Sequence, residues 1–395
     1  TLLIVNEIRL KSPISRTDIS KNLKLGLSTV TNIIEELKKQ NYVIESGEAD
    51  STGGRKPIIL TFNYNWGYTI GIKIGEDCIT LALTNLKVEI IKRTQMKFTK
   101  GLNSKEVLDK LISKIEMLIE EIPKNKSLLG IGIAISGLVD QENGKLIFSG
   151  MLNWHKINIG NFLEKYFNVP VFVDNNVNAY TLAELWQGKG KDLKDFAVVT
   201  FGSGIGCGIV LNHKLYRGNF GGAGEIGHMI INTGGKKCEC GNHGCLEAYA
   251  SEKGVIDYVK SNIAKYKDSI IDLKDDLTFE KIYQYAVKGD KLALESLKLS
   301  AKYIGYGILN LINILNPSSI ILAGEGLIAK DIFVPIIQDI IKDNFFKHHD
   351  KKINLLISEL GNDAWEIGAS ILVVSKLFEF PLYEDEEQKL SLFSE

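Results

Sequence analysis

The first sixty residues place apolar side chains at helical spacing, whereas the rest of the chain alternates such stretches with short continuous apolar runs. Leu2, Leu3, Val5, Ile8 and Leu10 form a first helical stripe, which Pro13 helps to close. Ser15 is placed to cap a second helix whose Ile19 and Leu23 face inward. A turn at 24–27 leads to a third helix over 28–41, with Val30, Ile33, Ile34 and Leu37 at helical intervals. Two β-rich runs then flank a glycine-rich loop, Gly53-Gly54-Arg55-Lys56-Pro57. Together these elements predict a small winged helix-turn-helix domain over residues 1–62.

Ser28, Thr29, Thr31 and Asn32 stand at the front of the third helix, where small polar side chains reach base edges in a major groove. Arg55 and Lys56 sit among glycines that permit close backbone approach, a fit for a narrow minor groove. Charge adds little, because residues 1–62 hold nine Lys and Arg against seven Asp and Glu. Winged helices also serve as protein-interaction modules, and that reading stands beside the DNA one.

From about Tyr64 the pattern becomes α/β. Residues 68–98 read as successive strands, 104–122 as an amphipathic helix, and 128–140 as a buried strand entering a glycine turn. A second unit starts near Phe196, residues 278–316 are largely helical, and Asn316-Pro317 ends that run. The expected division is a first lobe over 63–190, joined by 364–395, and a second over 191–363. Two similar starts are what a duplicated unit would give, though periodicity alone stops at α/β.

Composition narrows the class without naming it. The 395 residues are 45 % hydrophobic and 24 % charged, with a net charge of −1, which excludes a polycation built for nonspecific nucleic-acid binding. No signal segment or membrane-length apolar run is read, and the cysteines stand at metal spacing, so a cytoplasmic location is expected.

Three of only five cysteines, Cys238, Cys240 and Cys245, follow His228 in a glycine-rich loop. Three thiolates and an imidazole make a closed tetrahedral shell of the kind that holds structural Zn2+. Disulfides are the bland alternative, disfavoured by the odd count and the tight spacing. His243, inside the loop, is a competing ligand.

The same segment resembles the zinc signature of the ROK family, which joins bacterial sugar kinases and sugar-responsive repressors. The resemblance rests on a histidine, cysteines ten, twelve and seventeen residues later, and the step Cys245-Leu246-Glu247. It implies a two-lobed actin- or hexokinase-like fold and a sugar site at Asn175, Asn176, Glu225, His228 and Glu247. Asn153, in an Asn-Trp element, adds a weaker match. Glu225 as a turn carboxylate and Glu247 as a solvated helix start are the structural alternatives. The family's kinases lack an N-terminal extension of the kind seen here.

The kinase motifs depart from the family pattern. Lys73-Ile74-Gly75-Glu76-Asp77 stands where the kinases carry Asp-x-Gly-Gly-Thr, so two carboxylates face the phosphate position. Asp174-Asn175-Asn176-Val177-Asn178 stands for Glu-Asn-Asp-Ala-Asn, which puts an amide, Asn176, at the base position. An amide can bond a hydroxyl but cannot take its proton as a base. Residues 201–206, Phe-Gly-Ser-Gly-Ile-Gly, keep a second phosphate-type turn, which strand packing explains equally well.

The resemblance therefore implies a non-enzymatic, sugar-responsive repressor, most like the xylose-operon repressors of the family. Gly53–Pro57, Leu215–Gly218 and Tyr249–Lys253 carry that finer match. Expected partners are a palindromic operator, xylose or glucose, and a second copy in a homodimer or higher homo-oligomer. The alternatives are a zinc-containing sugar kinase with an accessory DNA-binding domain and a zinc-stabilised scaffold for a partner protein.

Overall fold

A computed structural model of the chain describes residues 1–48, 58–99, 103–274, 276–350 and 352–379. Arg55 and Lys56, with the rest of the Gly53–Pro57 loop, lie outside the described residues, as does 380–395. The head comprises α1 (Leu2–Lys11), β1 (Ile14–Ser15), α2 (Arg16–Leu23), α3 (Leu27–Lys39), β2 (Val43–Glu48) and β3 (Ile58–Phe62). Its strands form one antiparallel sheet in the order β1-β3-β2. Ser15 caps α2 by accepting from the Asp18 amide, and Ile19 is buried beneath it. The α3 stripe buries Val30, Ile34 and Leu37. In α1 the buried set is Ile4, Val5 and Ile8, while Leu3 and Leu10 are 54 % and 69 % exposed. The 3.6-residue period explains this difference from the five-residue stripe: positions 4, 5 and 8 share a face that 3 and 10 do not.

The body repeats one topology twice. Its first half holds β4 (Tyr68–Ile74), β5 (Cys78–Asn85), β6 (Ile90–Lys97), α4 (Ser104–Ile119), β7 (Leu128–Ile135), a small sheet of β8 (Leu138–Asp140), β9 (Lys145–Ser149) and β10 (Trp154–Ile157), then α5 (Ile159–Phe167), β11 (Val171–Asn175) and α6 (Asn176–Gln187). The second holds β12 (Phe196–Phe201), β13 (Ile205–Leu211), β14 (Lys214–Tyr216), α7 (Glu247–Ala250), α8 (Glu252–Asn262), α9 (Phe279–Val287), α10 (Lys291–Leu315), β15 (Ser319–Ala323), α11 (Lys330–Ile341), β16 (Asn354–Ile357) and the closing α12 (Ala364–Leu377). The two five-stranded sheets run β11-β7-β4-β5-β6 and β14-β13-β12-β15-β16. In each, three antiparallel strands are extended by two parallel ones on the side of the first strand.

Helices α12 and α6 lie back to back between the sheets. α12 packs on β4 and β7, α6 packs on β12 and β13, and the helices pack on each other. Glycines set how close they come: a Cβ on Gly132 would stand 1.8 Å from the Ala369 carbonyl oxygen, and one on Gly368 1.8 Å from that of Ala179. Ala134, Ala179 and Ala369 complete this small-residue seam.

Both helices also end against the head. Arg9 of α1 stacks between Trp186, near the end of α6, and Phe378, just beyond α12, at 5.6 and 4.7 Å. Burial holds the Arg9 guanidinium below its usual pKa. Asn6 donates to the Phe378 carbonyl, Tyr64 donates to the Arg9 carbonyl, and Phe62 meets Phe378 edge-on. One apolar cluster is continuous from Ile4 and Ile34 through Phe62 to Phe378 and Trp365. No helix among the described residues is long and apolar enough to cross a membrane.

Candidate functional site

A cleft of about 660 Å³ opens between the two sheets. One wall is the start of α6. Asn175 caps that helix, its Oδ1 accepting from the Val177 amide at 2.8 Å while its Nδ2 donates to the Gly137 carbonyl at 2.9 Å. Asn175 and Asn176 line the cleft together with Glu225, His228 and Glu247 from the opposite lobe. Five of the six residues expected at the sugar thus meet in one cavity. Asn153 stands apart: it is exposed in a turn at φ 54° and is not among the lining residues, where Gly150 and Met151 are found instead. Trp154 beside it is buried in the first-lobe core, so that element packs.

Glu247 opens α7 and accepts from the Ile205 amide at 3.0 Å, which ties it to the glycine turn at 201–206. Glu225 has its carboxyl pKa raised, mainly by burial and further by the Glu247 charge, with His228 pulling the other way. Its Oε2 lies 3.9 Å from His228 Nε2. The imidazole is two-sided, because Nδ1 faces the cysteine loop, 3.6 Å from Cys238 Sγ.

His228, Cys238, Cys240 and Cys245 each offer one donor atom, and the four atoms lie within 4.8 Å of one another. Cys240 and Cys245 sulfurs are 3.7 Å apart. Metal–sulfur bonds of about 2.3 Å in a tetrahedron require sulfurs about 3.8 Å apart, so the Cys240–Cys245 separation and the closeness of all four donors suit a four-coordinate metal. His243 is exposed, pairs with Lys237 across a short bridge and is outside the donor group. Tyr249 braces the loop, its hydroxyl accepting from the Lys236 amide and the Asn232 side chain, and Lys253 pairs with Glu239.

The other end of the cleft is acidic. Glu76 and Asp77 line it, joined by Glu252 and Glu325. Lys73 Nζ is bonded across the lobes to Glu325 at 2.9 Å and sits 4.3 Å over the Trp365 ring. Burial, then Glu325 and Glu76, raise the Glu252 pKa. Sequence reasoning missed Glu252 and Glu325 because the topology alone brings them to Glu76. The available signal was an acid in the glycine turn after β15, Gly324-Glu325-Gly326.

On the head, Ser28, Thr29 and Asn32 are exposed on α3. Thr31 is half-buried and its hydroxyl donates to the Leu27 carbonyl at 2.8 Å. An Arg16, Glu35, Lys38 and Glu45 network ties α2, α3 and β2 together behind that face.

With this geometry in hand, the likenesses to known proteins are informative. Residues 69–376 match the ROK family. The xylose repressor of Caldicellulosiruptor bescii is 33 % identical over 386 residues, covering 97 % of each chain. The crystal structure of a ROK family transcriptional regulator, a homolog of the E. coli MLC protein, superposes with a TM-score of 0.83 at 29 % identity over 95 % of each chain. A ROK family glucokinase from Streptomyces griseus, in complex with glucose and AMPPNP, reaches a TM-score of 0.68 at 25 % identity; it matches over 99 % of its own length but only 78 % of this chain. The match across most of the chain, together with the duplicated lobes and the His-Cys loop, makes this chain a member of the ROK family.

Proposed function

We propose that this chain is a sugar-responsive transcriptional repressor of carbohydrate-utilisation genes, with xylose as its effector. The observation that carries the reading is the asymmetry of the cleft: amides, an imidazole and the carboxylates of Glu225 and Glu247 at one end, four carboxylates and a Lys73–Glu325 bridge at the other. The first end suits sugar hydroxyls, which need convergent donors and acceptors on rigid supports. At the second, carboxylates repel a triphosphate, and Asn176 cannot act as a base. The cleft therefore binds a sugar and does not phosphorylate it. Glu225, His228 and Glu247 contact the sugar opposite Asn175 and Asn176; Asn153 has no part in this wall.

The metal held by His228, Cys238, Cys240 and Cys245 is zinc, in a structural role: three thiolates and an imidazole fill a tetrahedral shell. The head is a winged helix-turn-helix, with Ser28, Thr29, Thr31 and Asn32 toward the major groove and Arg55 and Lys56 on the wing. A homodimer presents two such heads to a palindrome with half-sites about one helical turn apart or a multiple of it. Sugar changes the operator affinity only insofar as it binds two arrangements of the lobes with different affinity. Helices α6 and α12, each running from cleft to Arg9, are the elements through which a lobe movement reaches the head.

The test is binding to a labelled xylose-operon promoter fragment at fixed salt, with and without xylose or glucose. Specific binding altered by xylose supports the reading; specific binding indifferent to both sugars sinks the effector assignment. The kinase reading, favoured by the full-length match to the glucokinase, predicts ATP turnover with sugar in a coupled assay. The repressor reading predicts none.

A further inference from the structure

Behind Asn175 lies an ion pair with a buried carboxylate and a partly exposed guanidinium, which belongs to neither the metal loop nor the lining of the cleft. Asp174, at the end of β11, is 1 % exposed. Its Oδ1 accepts from the Asn175 amide at 2.7 Å, Asn178 Nδ2 at 2.9 Å and Gln141 Nε2 at 2.5 Å, all groups of the first lobe. Its Oδ2 accepts from Nε of Arg217, in the second lobe, at 3.0 Å and lies 3.0 Å from Nη2 of the same guanidinium. A carboxylate this deeply buried is tolerable only when its lone pairs are satisfied, and here four hydrogen bonds and the guanidinium charge do so.

The location of the pair gives it a consequence. Asp174 immediately precedes Asn175 and Asn176. Arg217 immediately follows β14 and roots the loop that delivers Glu225 and His228. That loop is closed on itself by the Ala223 amide bonding to the Arg217 carbonyl at 3.1 Å, and it is pinned to β13 by the Cys207 amide on Gly224. It also lies against the first lobe, since a Cβ on Gly221 would stand 2.6 Å from the Val139 carbonyl oxygen. One guanidinium–carboxylate contact therefore joins the roots of the two half-sites. The Lys73–Glu325 bridge, which also crosses the lobes, has the more exposed carboxylate, 39 % against 1 % for Asp174.

We infer that Arg217 and Asp174 are positioning residues for sugar recognition: they hold the Glu225–His228 loop in register with Asn175–Asn176, so that one ligand engages both lobes. The inference rests on the sugar reading above. It predicts that Arg217→Gln and Asp174→Asn each weaken xylose binding about tenfold or more: the first leaves the Asp174 carboxylate buried without its cation, and the second removes the charge that holds the partly exposed Arg217 in place. The double variant is no weaker than the worse single one, the signature of a shared contact. Arg217→Lys, which keeps the charge without the fork, falls in between.

The experiment is calorimetric titration of the zinc-loaded full chain with xylose, and with glucose as second probe, alongside zinc content and thermal unfolding for every variant. Weaker sugar binding at unchanged zinc content, rescued in part by Arg217→Lys, is the expected result. Single variants that bind xylose as the parent does, while Asn176→Ala abolishes binding, overturn the positioning role and leave the site reading intact. Effects that simply add in the double variant also overturn it. A parent chain that binds neither sugar overturns the site reading and this inference with it.

Discussion

The two ends of the cleft are built from the same duplicated sheet motif yet follow opposite rules. At the proposed sugar end, three of the polar groups are held by backbone or loop contacts: Asn175 by its cap, Glu247 by the Ile205 amide, His228 by the cysteine loop. At the acidic end, Glu252 is crowded by Glu325 and Glu76, and Lys73 bridges to Glu325. Preorganised groups lower the cost of ordering on binding, whereas clustered like charges raise the cost of admitting an anion. On the proposed reading, a fold shared with ROK kinases keeps its sugar half while the other half repels a triphosphate.

The largest disturbance to this contrast is loss of the metal. Cys245→Ser removes a fully buried thiolate from the shell. The loop then has no shared centre, and His228 and Glu247 lose their common anchor. The expected outcome is loss of about one equivalent of zinc by chromogenic chelator assay, destabilisation of about 3 kcal/mol or more in urea unfolding, and no measurable sugar binding. Chelator treatment of the parent chain should reproduce it. A zinc-free chain that still binds xylose normally would separate the sugar end from its supposed support.

A smaller effect is expected at Trp186, where α6, which starts at the cleft, meets the head. Trp186→Ala opens one side of the Arg9 stack and leaves both the sugar residues and α3 untouched. Operator affinity without sugar and xylose affinity without DNA should each stay within about threefold of the parent. The factor by which xylose alters operator affinity should fall at least about fivefold. Linkage supplies an internal check, because operator DNA must alter xylose affinity by the same reduced factor. An unchanged factor would remove α6 from the route.

The parts of this architecture that were legible in the sequence are those encoded locally. The His228–Cys245 spacing, the Ser15 cap and the α3 stripe each occupy a short window in which one period or one ligand geometry decides. The α1 stripe was read too broadly, because Leu3 and Leu10 are apolar but off the buried face. Asn153 was carried by a motif, and the backbone turns it away from the cavity. The residues that escaped notice depend on distant crossings: Glu325 reaches Lys73 across 252 positions and Arg217 reaches Asp174 across 43. No local pattern encodes such pairs; the sheet order does.

The smallest expected effect tests whether the acidic end is a cost carried by the native chain. Glu252 is the first residue of α8, where the helix terminus favours its charge, yet burial and the neighbouring carboxylates raise its pKa above the ordinary 4.5. A carboxyl raised on folding binds its proton more tightly in the native chain than in the unfolded one. Its contribution is therefore fully present below about pH 4.5 and is lost as pH rises through the raised value. At neutral pH the charged Glu252 is a liability, so Glu252→Gln should raise the melting temperature at pH 7 by up to about 2 °C and leave it unchanged near pH 4. Xylose affinity should not move, since the sugar end takes nothing from this residue. A variant that melts lower at pH 7 would mean that Glu252 has a stabilising partner when charged, and the acidic end would then be a second organised site instead of a barrier to anions.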